Sequence, residues 1–229
     1  MLKKNLERVF EDIKDGNNLG EPITLVGATK TISPEVINQA VEYGLKFVAE
    51  NKVTEFREKH GLIVNASEHF IGHLQTNKVK YLVGQVELIH SVDSFHLAQE
   101  ISNCAVKKGV FQDVLIQINV GKEPQKGGFM PEDAFLAVKD ITTLPNLNVK
   151  GLMAMLPLSD NQELLKNLCL QMREIFDKLK QEGFNLLHLS VGMSADYKIA
   201  IQNGSNMIRL GSTIFGKRNY GGAEQNGNI

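Results

Sequence analysis

The sequence predicts an α/β fold, a single (β/α)8 TIM barrel with an additional N-terminal helix. Short β-branched and apolar runs alternate with segments of helical periodicity, which is typical of βαβ units around a parallel sheet. Eight strand-like runs occur, near 23–29, 46–50, 69–72, 87–92, 113–120, 148–154, 186–191 and 206–210. Eight is the strand number of this barrel, and the 229 residues of the chain suit a fold that commonly takes about 250.

The predicted helices have recognisable beginnings and ends. The first, Leu2 to about Asp15, precedes strand one, and we expect it to cover the bottom of the barrel. A second runs from Pro34 to Gly44 after a predicted Ser33 cap. The clearest runs from about Glu163 to Glu182 and ends before Gly183. We expect its apolar stripe to be core, and the stripe consists of Leu164, Leu165, Leu168, Met172, Ile175, Phe176 and Leu179.

Composition narrows the class of protein. The chain is 42% hydrophobic and 22% charged, as in an ordinary soluble domain. A net charge of -1 provides no overall attraction to nucleic acid or to a membrane surface. No run is apolar enough to span a bilayer, the N-terminus lacks a signal-peptide core, and Cys104 and Cys169 are too few for a disulfide framework. These features predict a cytoplasmic protein with one domain, 1–220, and a flexible tail, 221–229.

One lysine is the strongest candidate for chemistry. Lys30 ends the apolar run ITLVGATK, and in a TIM barrel the reactive groups sit where strands end. The small residues before Lys30 leave room beside its side chain. An amine partly withdrawn from water loses some of its preference for the charged form and can form a Schiff base with an aldehyde. The alternative, a solvated surface lysine, makes burial of Lys30 a requirement of this interpretation.

Two later loops predict a phosphate site. Gly192 and Ser194 follow strand seven, and Gly211 and Ser212 follow strand eight, which is where these barrels bind phosphate. Glycines permit close approach of backbone N–H groups to an anion. Tight packing of the turns is the alternative explanation for either loop alone. Opposite a first-strand lysine, however, the two loops together indicate a pyridoxal 5'-phosphate (PLP) site.

Arg209 lies in the last strand and, by strand alternation, faces a part of the ligand other than the phosphate. A buried arginine needs an acceptor. If that acceptor is the pyridine nitrogen, the charged guanidinium would discourage ring protonation, weaken the ring as an electron sink and disfavour transamination.

Two histidines raise the alternative of a metal site. His69 and His73 are four positions apart in EHFIGHLQTNK, and that spacing could suit a metal ion on a helix. This run is predicted to be a strand, along which four residues span about 13 Å. We therefore expect packing or hydrogen-bonding roles and no metal. Asn51 and His73 close strands two and three and join the list of candidate site residues.

Several segments together resemble one family. They are VGATK around Lys30, AEN ending at Asn51, HFIGHLQTNK, IHSVDS, GLMAM, LSVGMSADY and IRLGSTIFGKRNY. This set resembles the pyridoxal phosphate homeostasis protein family, also called YggS/PROSC, which is related in fold to the N-terminal barrel of alanine racemase. The resemblance implies an internal aldimine at Lys30 and a pocket lined by Asn51 and His73. It also implies that Ser194, Gly211 and Ser212 hold the phosphate and that Arg209 faces the pyridine nitrogen.

The resemblance further implies a role in PLP (vitamin B6) homeostasis, with effects on amino-acid and keto-acid pools and with apo PLP-dependent enzymes as candidate recipients of the cofactor. The main alternative is a PLP-dependent amino-acid racemase, and a third is a barrel used only as an interaction scaffold. Related racemases add a β-domain that supplies a tyrosine acid/base from a partner subunit. Without such a domain we expect a monomer that is non-catalytic.

Overall fold

The computed structural model describes residues 1–216 and shows a closed barrel of parallel strands in the order β1 to β8. The predicted (β/α)8 fold is therefore confirmed. The third strand begins at Ser67, earlier than the predicted 69. The strand bounds are β1 Thr24–Ala28, β2 Phe47–Glu50, β3 Ser67–Phe70, β4 Leu88–Val92, β5 Gln112–Ile118, β6 Leu147–Ala154, β7 His188–Ser190 and β8 Met207–Leu210.

Helices cover the outside of the barrel and connect most successive strands. The β3–β4 connection instead contains a 3₁₀ helix, Thr76–Tyr81. Within residues 1–216 no helix has the length and apolar character needed to cross a membrane. The predicted domain boundary at 220 and the predicted tail 221–229 lie outside the described residues. The α-helices are α1 Leu2–Ile13, α2 Pro34–Glu42, α3 Val53–Lys59, α4 Phe95–Lys108, α5 Ala134–Ile141, α6 Gln162–Gln181, α7 Tyr197–Gln202 and α8 Ser212–Phe215.

Helix α1 lies against the outer face of the barrel, which corrects the expectation that it covers the bottom. Its Leu6 and Val9 are buried in a cluster with Leu25, Leu210 and Ile214. Asn5 donates a hydrogen bond from Nδ2 to the Ile214 carbonyl at 2.9 Å, so α1 is tied to α8. The apolar face of α1 thus closes the outside of the seam between the first and last strands.

Helix α6 largely follows the predicted stripe. Its buried residues are Leu165, Cys169, Met172, Phe176 and Leu179. The prediction for Leu164 is wrong, because that side chain is 41% exposed. The Ser33 cap is wrong in part: Ser33 is the N-cap of α2 in extended conformation, but its side chain makes no capping hydrogen bond.

The barrel interior is filled with side chains, as small barrels require. An apolar cluster contains Val26, Ala49, Leu88, Leu115, Met153 and Met207. Polar side chains are buried as well, among them His69, His90, Ser190 and Arg209. Since burying polar groups is unfavourable unless they are hydrogen-bonded, the contacts of these four residues bear directly on the candidate site.

A matched pair of substitutions on α6 tests the assignment of its core face. We expect Leu179→Ala to lower the free energy of unfolding by about 2–5 kcal/mol, because it empties a fully packed position. Leu170→Ala on the same helix should cost less than about 1 kcal/mol, since Leu170 is 43% exposed. Urea denaturation of both variants measures the difference, and equal losses would contradict the assigned face.

Candidate cofactor-binding site

A cavity of about 470 Å³ opens at the carboxyl ends of the strands. This volume lies within the range typical of small-molecule sites. It brings together most of the residues that the sequence predicted, from strands far apart in the chain. Its lining residues are Ala28, Lys30, Asn51, Ile71, Met155, Met193, Ser194, Ala195, Arg209, Gly211 and Ser212.

Lys30 follows β1 and lies in the wall of this cavity. Lys30 is partly buried, so the Schiff-base interpretation's requirement for burial is met in part. Ala28 lines the cavity beside it, in agreement with the expectation that small residues leave room there. Register places the end of β1 next to β2, with Ala28 opposite Ala49, and this carries Lys30 towards Asn51.

Ser194 connects the loops that follow β7 and β8. Its Oγ accepts hydrogen bonds from the backbone N–H groups of Gly211 at 3.3 Å and Thr213 at 3.2 Å. A serine hydroxyl has one proton to donate as well as its acceptor lone pairs. With its oxygen already used as an acceptor, the hydroxyl of Ser194 can direct its proton towards an anion in the cavity.

Backbone N–H groups add to this donor set. In the part of the chain that the structure describes, those of Ser194, Ala195 and Ser212 donate no hydrogen bond to another protein group. All three residues line the cavity. Backbone N–H groups that have no protein partner and converge on one cavity can bind an anion, so these donors fit an anionic group such as a phosphate.

Asp196 shapes the first of these loops. Its Oδ1 accepts a hydrogen bond from the Met193 N–H at 2.6 Å. Burial raises the pKa of the Asp196 carboxyl, and the hydrogen bond from Met193 opposes that rise. The adjacent Gly192 has φ 108°, and a Cβ there would approach Ala200 Cβ to 2.9 Å. Gly192 therefore serves close packing against α7, while Gly211 lines the cavity itself.

Arg209 is buried at 4% exposure and lines the cavity. Its Nη1 donates to the Ser190 carbonyl at 2.8 Å and to Ser190 Oγ at 2.6 Å, and its Nη2 donates to the Ala154 carbonyl at 2.9 Å. Burial lowers the pKa of Arg209 to about 10, so the guanidinium stays charged at neutral pH. These bonds hold a fixed positive charge in the cavity wall.

A hydrogen-bonded chain leads from Arg209 into the barrel interior. Ser190 Oγ lies 3.4 Å from His90 Nδ1, and His90 Nε2 lies 3.0 Å from His69 Nδ1. Arginine can only donate, so Ser190 Oγ accepts from Arg209. The ring nitrogens of His90 and His69 donate or accept according to the tautomer of each ring. The chain connects the charged Arg209 to the two buried histidines.

The cavity includes Asn51, as predicted, but not His73. Asn51 lines the cavity, and its buried Oδ1 has no hydrogen-bond partner among residues 1–216, so it is available to a donor on a ligand. His73 is absent from the lining. Its side chain is 74% exposed and its Nδ1 lies 3.1 Å from Asp93 Oδ2. His73 lies three residues beyond the end of β3 at Phe70.

The packing and hydrogen-bonding contacts expected of the two histidines are present. His69 is buried and hydrogen-bonded to His90, whereas His73 contacts Asp93. No group of three or more potential metal ligands occurs among the described residues. The sequence interpretation missed Ile71, Met155, Met193 and Ala195 as lining residues. Each lies at a strand end within a segment already singled out, so position alone could have identified them.

Gly72 was also missed, and it supports Asn51. A Cβ at Gly72 would come within 1.8 Å of the Asn51 carbonyl oxygen. No side chain can be accommodated at that distance without moving the backbone of Asn51. The loop after β3 therefore packs directly on the residue that lines the cavity.

Comparisons with known proteins define the class. The family model described as "Alanine racemase, N-terminal domain" matches residues 28–219. Alanine racemase of Clostridium difficile 630 has the same fold, with a TM-score of 0.81 at 18% identity over 95% of this chain and 56% of that one. The fold and the cavity thus define a barrel of the alanine racemase N-terminal type.

More similar proteins identify the family. A pyridoxal phosphate homeostasis protein of Aquifex aeolicus (strain VF5) is 42% identical over 222 residues, covering 96% of this chain and 97% of that protein. The structure of PipY from Synechococcus elongatus PCC7942 without PLP matches this chain with a TM-score of 0.86 at 27% identity, covering 94% of this chain and 100% of that one. The structure of PipY has also been determined with PLP bound. The chain belongs to the pyridoxal phosphate homeostasis protein (YggS/PROSC) family, as the sequence motifs indicated.

The buried histidines predict a pH dependence of stability. Burial lowers the pKa of His69 from 6.5 to about 3 and that of His90 well below 6.5. The unfolded chain takes up protons at these residues below pH 6.5, whereas both residues stay neutral to lower pH in the folded chain. Stability is therefore fully present above pH 6.5 and is lost as the pH falls, by about 2 kcal/mol for His69 at pH 5.

The substitution His90→Gln isolates this effect, since Gln offers both a donor and an acceptor to the chain. We expect its free energy of unfolding to fall less than that of the wild type between pH 7 and pH 5. Urea titrations at both pH values provide the comparison. Identical pH dependence in the two proteins would show that His90 is not held neutral.

Proposed function

We propose that this protein binds PLP in the cavity at the carboxyl ends of its strands and takes part in intracellular PLP (vitamin B6) homeostasis. The observation that carries the proposal is the convergence of Lys30, Arg209 and the Ser194 and Ser212 loops on one cavity. The cavity combines an amine, a fixed cation and a set of anion donors. The relatives named for PLP homeostasis and the PLP-bound structure of PipY support the same ligand.

The polar lining residues each have a role in this proposal. PLP supplies an aldehyde that condenses reversibly with an amine, and Lys30 Nζ is the amine that forms the covalent Schiff base. The Ser194 hydroxyl, the loop N–H groups, Gly211 and Ser212 hold the phosphate. Arg209 faces the pyridine nitrogen, where its charge keeps a proton off the ring. Asn51 accepts a hydrogen bond at the cavity wall.

The protein is proposed to hold PLP without catalysing turnover. Two-base racemisation needs a proton-transfer group on each face of the substrate. Among the described lining residues, Lys30 and Arg209 are the ionisable side chains, and Arg209 is committed to Ser190 and Ala154. Amino-acid racemase activity remains the alternative. The test is an NMR measurement of α-proton exchange in alanine, made in D₂O with the PLP-loaded protein. Exchange over many turnovers would favour the racemase alternative.

We further propose that the protein acts in the cytoplasm as a monomer that passes PLP to apo PLP-dependent enzymes and so influences amino-acid and keto-acid pools. A reversible Schiff base and non-covalent phosphate contacts suit a carrier, because both can be released. Activation of an apoenzyme by the loaded protein, in the presence of a trap for free PLP, tests direct transfer. Activation that the trap abolishes would contradict it.

The first prediction from this proposal concerns Lys30→Ala. We expect the wild type with added PLP to show the absorption band of a Schiff base and, after borohydride reduction, a modified peptide containing Lys30. Lys30→Ala should lose both signals and keep its fold, because a partly exposed side chain at a strand end contributes little to the core. Lys178→Ala, at an exposed position of α6, is the control. Modification of another lysine in the wild type would refute the assignment.

The second prediction concerns the phosphate. Ser194→Ala removes a hydroxyl proposed to donate to a charged group, and such bonds contribute about 1.5–3 kcal/mol. We therefore expect PLP to bind at least about tenfold more weakly, while pyridoxal, which lacks the phosphate, binds as it does to the wild type. Titrations with the two ligands provide the comparison. An equal change for both would place Ser194 away from the phosphate.

A further inference from the structure

The backbone on each side of Lys30 is held by a charged side chain, buried Lys59 on one side and partly exposed Glu55 on the other. The Thr29 carbonyl accepts a hydrogen bond from Lys59 Nζ at 2.9 Å, and the Thr31 N–H donates to Glu55 Oε2 at 2.7 Å. These are the carbonyl immediately before Lys30 and the amide immediately after it. Hydrogen bonds to charged groups are shorter and stronger than neutral ones, so the segment carrying Lys30 is fixed at both ends.

A third charge completes the arrangement. Glu50 Oε1, at the end of β2, accepts from Lys59 Nζ at 2.7 Å and from Thr29 Oγ1 at 2.6 Å. Lys59 Nζ also lies 3.4 Å from Glu55 Oε2. We call Glu50, Glu55 and Lys59 the Lys59 cluster. Glu50 and Lys59 are buried, at 4% and 8% exposure, and the cluster lies behind the strand end, outside the cavity lining.

The backbone conformation explains why such fixing is needed. Thr31 has φ 66°, in the left-handed region that is sterically unfavourable for a β-branched residue. Strained conformations of this kind persist only where the surrounding structure holds them, and they concentrate at functional sites. The Thr31 N–H donates to Glu55 in this conformation. This hydrogen bond is therefore one of the contacts that hold the Thr31 conformation.

Stability alone does not account for the cluster. Replacing a buried ion pair with apolar residues is often neutral or stabilising, and here the charges do not cancel, since two carboxylates share one ammonium. Burial raises the pKa of Glu50, against the opposing effect of Lys59. Burial would also raise the pKa of Glu55, but the Thr31 N–H and Lys59 outweigh it and lower that pKa. Glu50 Oε2 is buried without a hydrogen-bond partner among the described residues, a further unfavourable feature.

We propose that the Lys59 cluster positions Lys30 for covalent capture of the aldehyde. This inference rests on the proposed function. In the step that it serves, neutral Lys30 Nζ adds to the aldehyde carbon, a C=N bond replaces the C=O bond, and the oxygen leaves as water. The rate and equilibrium of such a step depend on the orientation of the amine. The cluster residues are positioning residues, because they act on Lys30 through the Thr29 and Thr31 backbone.

A comparison of two ligands distinguishes a loss of Lys30 positioning from a general disturbance of the fold. PLP binds through the Schiff base and the phosphate, whereas pyridoxine 5'-phosphate carries an alcohol in place of the aldehyde and can use only the non-covalent contacts. The ratio of the two affinities therefore measures the covalent contribution. A variant that merely loosens the fold changes both affinities and leaves their ratio near the wild-type value.

The experiment compares Glu55→Ala, Glu55→Gln and Lys59→Met. Glu55→Ala removes the acceptor of the Thr31 N–H, whereas Glu55→Gln keeps an acceptor oxygen without the charge. Because Glu55 is partly exposed, its variants remain informative if Lys59→Met fails to fold. Glu174→Ala, which breaks an exposed ion pair on α6, is the control for loss of a carboxylate. Schiff-base absorbance, borohydride-fixed adduct and the two affinities are measured for each.

We expect Glu55→Ala and Lys59→Met to weaken PLP binding by about tenfold or more. Their affinity for pyridoxine 5'-phosphate should stay within about twofold of the wild-type value. Glu55→Gln should restore most of the PLP affinity that Glu55→Ala loses. An unchanged PLP affinity in Glu55→Ala, or an equal loss for both ligands, would overturn the inference. Failure of the wild type itself to form an adduct at Lys30 would instead refute the proposed function.

Discussion

Closure of the barrel between its first and last strands is the constraint on which the site depends. β1 pairs with β8 in parallel, with Val26 opposite Arg209 and Gly27 opposite Leu210. Parallel strands end at the same edge, so this register brings Lys30 next to Gly211 and Ser212 although nearly the whole chain separates them. The apolar face of α1 seals the outside of the same seam. Without this closure the amine and the anion donors would lie on separate edges of an open sheet.

The barrel interior ties the site to the core. A guanidinium buried as deeply as that of Arg209 is unfavourable unless it is hydrogen-bonded, and it donates to the carbonyls of Ser190 and Ala154. Ser190, His90 and His69 extend these contacts across the barrel. Burial lowers the pKa of His69 and of His90, so both histidines stay neutral in the fold. The cavity wall is thus connected by hydrogen bonds to buried polar side chains of the core.

Much of the fold was predictable because the strand and helix patterns of the separate segments agree with the alternation of strands and helices in a barrel. Strand and helix periods differ clearly in this sequence, and the strand ends carry the polar residues of the cavity. Errors arose where local pattern and packing diverge. Leu164 fits the helical stripe but lies beyond the edge of the buried face. His73 fits a strand that ends sooner, so its side chain is outside. Contacts such as Gly72 against Asn51 depend on distances between separate loops, and no single-sequence pattern encodes them.

The two neighbours of β1 contribute in different ways to the same lysine. On one side β8 supplies Arg209 and leads to Ser212, which face the cavity. On the other side β2 pairs Ala49 with Ala28, and the strand end that follows brings Glu50 against Thr29. Helix α3 begins directly after β2 and returns Glu55 and Lys59 to the same point. A single βα unit thus provides Asn51 to the cavity and the charges that fix the backbone behind it, so the conformation of Lys30 depends on the packing of α3 as well as on its own strand.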